Sequence, residues 1–162
     1  MVTAEQRVVD LGLTLPQVPV ALGSYKPVHV VGDMLYTSGV LPMWNGELRV
    51  KGIVGDGLSV AEGVAAARLC ALNILALIRE HAGTLDAVEH MVQIVGFVRS
   101  GEGFVQQPRV LNGASDLLYE VLGERGRHTR LALGTTELPL GAAVEISAVV
   151  RLEPQRVVVG VG

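Results

Sequence analysis

The stretch that most restricts the fold runs through residues 128–152, HTRLALGTTELPLGAAVEISAVVRL. It reads as two strands joined by a turn over residues 134–141 that contains Pro139. In the second strand Val144, Ile146, Ala148, Val150 and Leu152 alternate with Glu145, Ser147 and Arg151, the period-2 pattern of a half-buried strand. In the first, Leu131 and Leu133 point to one side, Arg130 and Ala132 to the other. If the two strands are neighbours in one sheet, Arg130 and Glu145 can line one pocket. An arginine that grips a carboxylate bidentately, beside a glutamate that handles a proton, is a workable site for small anionic metabolites. The same spacing fits a structural cross-strand ion pair, which is the commoner arrangement, so pattern alone leaves both readings open.

The rest of the chain narrows the class. With 162 residues a single domain with a real core is expected. Mean hydropathy is +0.44, yet no run approaches the roughly 18 uninterrupted apolar residues of a membrane span. The N-terminal segment MVTAEQRVVDLGLTLP carries acidic residues and no apolar core of signal-peptide type. Cys70 is the one cysteine, which excludes an internal disulfide framework. Its apolar helical setting suggests a buried structural thiol, and a cytoplasmic location is expected. A net charge of −3 without a basic run argues against nucleic acid as the main partner. The histidines His29, His81, His90 and His128 show no metal-ligand spacing, so no metal is expected.

Taken in order, residues 3–12 predict a short helix with Thr3 as N-cap and Gly12 as terminator. Pro16 and Pro19 mark a connector. Residues 28–31 and 34–38 predict a hairpin about Gly32-Asp33, and residues 48–54 a further strand after Asn45-Gly46. Ser59 and Glu62 form a capping box for a long helix closed by Gly83. Residues 88–98 predict a strand, and Pro108 starts a second helix that ends at Gly123. Two helices can cover one face of the resulting mixed sheet. Strands such as MVQIVGFV are apolar on both sides, so the other face is expected to be covered by another copy of the chain.

Four segments, SYKPVHVVGDMLYTSG, ARLCALNILA, LNGASDLLYEVLG and HTR…ELPLGAAVEISAVV, carry a resemblance to the Rid or YjgF family, the reactive intermediate deaminases also labelled L-PSP endoribonucleases. It covers residues 22–153 of one domain, with residues 1–21 as an N-terminal extension and 154–162 as a tail. The NGASDL helix is similar to a less characterised branch. The resemblance implies an α+β, chorismate-mutase-like fold: a mixed six-stranded sheet, two helices on one face, a homotrimer formed through the other, and sites in clefts between subunits. It implies hydrolytic deamination of small 2-imino or enamine acids of the 2-aminoacrylate type to 2-keto acids and ammonia, with no cofactor or metal. The carboxylate-binding arginine falls on Arg130 and the water-positioning glutamate on Glu145. Tyr25, Ser38, Gly39 and Asn112 fall on substrate-binding positions, and Ala132 stands where the family's site cysteine offers its backbone carbonyl. Val40 replaces a glutamine beside Gly39, and Lys26 follows the tyrosine, which bears on substrate choice. A non-catalytic small-carboxylate-binding trimer is the alternative. Endoribonuclease activity runs against the acidic charge.

Overall fold

Each helix begins where its capping residues place it. In α1 (Ala4–Asp10) the Thr3 side chain accepts a hydrogen bond from the Gln6 amide. In α2 (Val60–Ala82) Ser59 Oγ accepts from the Glu62 amide at 3.1 Å, and Glu62 accepts from the Ser59 amide at 2.7 Å. Gly83 closes α2 at φ 78°. Pro108 lies in the first turn of α3 (Gln107–Leu122). By length and composition α2 could cross a bilayer, but here it is a core helix, with Ala67, Cys70, Ala71, Ile74 and Ile78 fully buried. It packs on α3 at close range, because a β-carbon on Gly113 would collide with the Val64 carbonyl.

The computed structural model describes residues 1–154, and the tail expected beyond Pro154 lies outside the described residues. The main sheet contains β1 (Val28–Val31), β2 (Met34–Thr37), β3 (Val88–Arg99), β4 (Thr129–Thr135) and β5 (Val144–Leu152). Their spatial order is β1-β2-β5-β3-β4; β3 and β4 are parallel and the other neighbours antiparallel.

This sheet corrects two expectations. It has five strands, not six. Residues 48–54 do not form a long strand: Glu47–Leu48 pairs with Met43–Trp44, and Ile53–Val54 with Gly57–Leu58, each only two residues long. Gly52 at φ 136° and Gly55 at φ 86° take the chain out of extended geometry, and only single bridges, such as Val54 to Ser100, touch other segments. Nor are β4 and β5 a hairpin. β4 follows β3 through α3, a strand–helix–strand unit whose strands run parallel. β5 then returns on the other side of β3, with the Arg99 amide bonded to Ala143 O at 2.8 Å and the Ser100 amide to Thr135 O at 3.0 Å.

The core lies between the helices and one face of the sheet, where Ile94, Val98, Val144, Ile146 and Val150 are fully buried. Cys70 is part of it, its Sγ 3.8 Å from the Val144 carbonyl, and burial pushes its thiol pKa well up. On the other face Tyr36, Phe97, Leu131 and Leu133 remain 37–50% exposed. α1 is tied to the body by the Glu5–Arg79 ion pair and by the Ala4 amide on Asp86 at 2.7 Å. After α1 the chain wraps round one end of the domain as a strap. Leu13, Leu15 and Val18 pack on the core, and the Gln17 amide donates to Asn45 Oδ1 at 2.8 Å.

Candidate functional site

Strand pleat decides where the two key side chains go. Arg130 is opposite Ile94, which is fully buried beneath the helices, so Arg130 faces α3. Its guanidinium donates to Ser115 Oγ at 3.0 Å and to the Pro108 carbonyl at 3.0 Å. Ser115 Oγ is also 2.9 Å from His128 Nε2, and His128 Nδ1 is 2.6 Å from the Gly126 carbonyl. A carbonyl only accepts, so Nδ1 carries the proton of the neutral ring and Nε2 accepts from the Ser115 hydroxyl. The chain of donors therefore runs from Arg130 to Ser115, to His128, to Gly126. Burial is the main cause holding the His128 pKa below its ordinary value; the Gly126 hydrogen bond opposes it and the Arg130 charge adds to it. Two of the five guanidinium N–H donors are thus committed, and no described residue takes the other three. Exposed Asn112 shares a stripe of α3 with Pro108 and Ser115, between the two anchor points of Arg130. Ala132, opposite Gly96, packs on the core.

Glu145 is opposite Phe97 and so belongs to the open face. Its carboxyl lies against the backbone of Gly39, where a β-carbon would overlap it. Gly39 follows β2, just before Val40 exchanges backbone hydrogen bonds with Ile146 at 2.8 and 3.0 Å. Glu145 is half-buried, and no described residue gives it a hydrogen bond or an ion pair; burial raises its pKa. Glu145, Gly39, Val40 and Tyr25 line a cavity of about 430 Å³. The Ser38 hydroxyl donates to the Lys26 carbonyl at 2.6 Å, which fastens the loop carrying Tyr25 and exposed Lys26. The Tyr25 hydroxyl accepts from the Leu22 amide at 3.2 Å.

The expected residues therefore fall into two groups. Tyr25, Ser38, Gly39 and Glu145 gather at one; Arg130 and Asn112 belong to the other, on the opposite face and with β3 between. Within one protomer Arg130 and Glu145 neither share a pocket nor form the cross-strand ion pair that their spacing also allowed. Ser115 and His128 were not singled out from the sequence as site residues. Their signal was there: Ser115 continues the Pro108–Asn112 stripe, and His128 is two residues before Arg130 on the same face of the chain. Asn73, the one polar residue buried in the core of α2, was also passed over; it lines the cavity beside Glu145.

Comparison with known proteins completes the picture. A profile of the family described as "YjgF/chorismate mutase-like, putative endoribonuclease" matches residues 5–151. Protein TCP17 of Trypanosoma cruzi is 42% identical over 143 residues, covering 88% of this chain and 89% of that one. The crystal structure of Atu1372 from Agrobacterium tumefaciens, a protein of unknown function, superposes with a TM-score of 0.84 at 44% identity, covering 93% and 92% of the two chains. The protein RidA of an Antarctic Psychrobacter shares the fold, with a TM-score of 0.57 at 24% identity over 84% and 94% of the chains.

Proposed function

From the premise that this chain belongs to the YjgF/chorismate mutase-like family, the family of the Rid proteins, we propose that it hydrolyses 2-imino acids, or their enamine tautomers, to 2-oxo acids and ammonia, in clefts between the subunits of a homotrimer. The observation that carries the reading is Glu145: a half-buried carboxyl, raised in pKa by burial, unpaired among the described residues and packed on the bare backbone of Gly39. A carboxylate made more basic and left without a cation is suited to take a proton from water.

Arg130 supplies the grip on the substrate carboxylate, with three N–H donors to spare and its orientation set by Ser115 and Pro108. Because Arg130 and Glu145 face away from each other within a protomer, the working pair is Arg130 of one copy and Glu145 of the next. The exposed patch of Tyr36, Phe97, Leu131 and Leu133 on the open face supports a second copy packing there.

The chemistry balances without further reagents. Water adds its oxygen to the carbon of the protonated imine while Glu145 accepts one of its two protons. The neutral carbinolamine receives that proton on nitrogen. As the C–N bond breaks with its electron pair going to ammonia, the hydroxyl gives its own proton to Glu145, leaving a 2-oxo acid, and ammonia carries that proton away as ammonium. An iminium carbon is already electrophilic, so positioning and one base suffice.

The test is purified protein added to 2-aminoacrylate generated by a PLP-dependent lyase, with ammonia release followed in time. Acceleration is expected and should be lost in Arg130→Ala and in Glu145→Gln. No acceleration of this or any other imine would defeat the hydrolase reading; binding of short acids without turnover would make the protein a carboxylate-binding trimer.

A further inference from the structure

We infer that the cavity beside Glu145 receives the side chain of the substrate, and that this side chain is bulky and largely apolar. The inference rests on the hydrolase reading for the reacting group and adds the body of the molecule. A cavity of about 430 Å³ falls in the range of roughly 300–1,000 Å³ that encloses ligands of drug size. Once its carboxylate and nitrogen are engaged, 2-aminoacrylate offers only a methylene carbon to fill it.

The walls state what the occupant is. Val18, Val20 and Leu22 of the strap line it together with Val40, Leu41 and Met43 from the segment after β2. Glu145 is the one charged residue in the lining among the described residues, and its negative charge keeps a carboxylate out of the interior. The acid end therefore stays at the mouth, towards the arginine of the neighbouring copy, while hydrocarbon enters.

The strap is a built wall: the Gln17 amide is bonded to Asn45 and the Leu22 amide to the Tyr25 hydroxyl, one tie near each end of the segment that lines the cavity. Asn73 of α2 ties the segment after β2 to the helix. It is fully buried, and its Nδ2 donates to the carbonyls of Met43 at 2.7 Å and Leu69 at 2.9 Å, which fixes which way the amide points. Its Oδ1 has no donor among the described residues. That oxygen, like the rest of the residue, has no accessible surface, so Asn73 braces the cavity wall and the occupant meets its apolar lining.

The test compares 2-oxo acids, the stable products of the reaction, by calorimetric titration of the full chain: pyruvate, 4-methyl-2-oxopentanoate, phenylpyruvate and 4-hydroxyphenylpyruvate. Affinity should climb about tenfold or more from pyruvate to the bulky acids as apolar surface is buried. Val18→Trp, which fills the cavity from the strap, should erase the advantage of the bulky acids. Val20→Trp, at an exposed strap position, makes the same test where the first variant fails to fold. Equal affinity for pyruvate and phenylpyruvate, or an advantage untouched by a folded strap variant, would overturn the inference. Affinity that rises with size without turnover of any imine retires the hydrolase reading and leaves the pocket. Rapid turnover with no dependence on size does the reverse.

Discussion

The two ends of the candidate site are built on opposite principles. Around Arg130 hydrogen bonds follow one another without a gap, through Ser115 and His128 to the Gly126 carbonyl, with a second tie to Pro108. Around Glu145 there is hydrocarbon, a glycine backbone and no polar partner among the described residues. A group that must hold an anion is best fixed in advance, so that binding does not spend itself on ordering a long side chain. A group that must accept a proton is best left unsatisfied, because each hydrogen bond to a carboxylate lowers its basicity. The contrast separates anchoring from reaction, and variants at the two ends should separate KM from kcat.

The largest effect is expected at the anchor. Arg130→Ala should lower kcat/KM for imine hydrolysis on the order of 10³-fold and abolish titratable binding of the product acid. Arg130→Lys should restore little, since a point charge does not reproduce a planar fork. A lysine variant equal to the parent would mean that the ordered network is irrelevant.

Glu145→Gln comes next. Turnover should fall about 10²-fold while product-acid affinity stays nearly unchanged. The same variant should melt at a higher temperature than the parent at pH 7. Burial raises the folded-state pKa of Glu145, so the folded protein holds more of this proton than the unfolded chain, and stability falls as pH climbs from the unfolded value to the folded one. Melting curves should converge below both pKa values, where the carboxyl is neutral in either state. A parent that melts higher than the variant at neutral pH would contradict the uncompensated environment described for Glu145.

Gly39→Ala should act at the same end without touching the chemistry directly. The added methyl displaces the carboxylate, and turnover should drop about 10- to 100-fold. The smallest effects belong to the relay. Ser115→Ala should raise KM about tenfold with kcat little changed, because the guanidinium loses one of its two ties. His128 contributes a pH dependence of opposite sign to that of Glu145. Its folded pKa is lowered, so its contribution is whole above the ordinary histidine pKa and lost as pH falls through that value towards the folded one. Denaturant midpoints measured between pH 5 and 8 should show this slope in the parent and not in His128→Gln.

Much of the fold was readable from local chemistry. Thr3, the Ser59–Glu62 box, Pro108 and the glycines at 83 and 123 set helix ends within a residue or two, since caps act through neighbours in sequence. The alternation in β5 was read correctly for the same reason. What local pattern does not carry is which strands are neighbours. The β4 and β5 segments are consecutive and alternate well, yet the insertion of β3 between them is decided by α3 returning over the sheet. Register then puts Arg130 and Glu145 on opposite faces, because their partners on β3, Ile94 and Phe97, are three residues apart and so on opposite sides of the pleat. The strand expected at residues 48–54 breaks at Gly52, whose φ of 136° lies outside extended geometry despite the β-branched residues around it. Asn73 was visible as a lone amide within ARLCALNILA, but only the folded chain shows it at a cavity wall with a spare acceptor.

The single sulfhydryl, with no accessible surface, gives the molecule an internal clock. A disulfide reagent in solution reaches Cys70 only when the seam between α2 and β5 parts, so the rate of colour release counts those partings without any attached label. The next residue along that strand after the carbonyl facing the sulfur is Glu145. A compound that settles against that glutamate should therefore slow the clock, and the slowing offers a way to screen for what the site holds before any reaction is found.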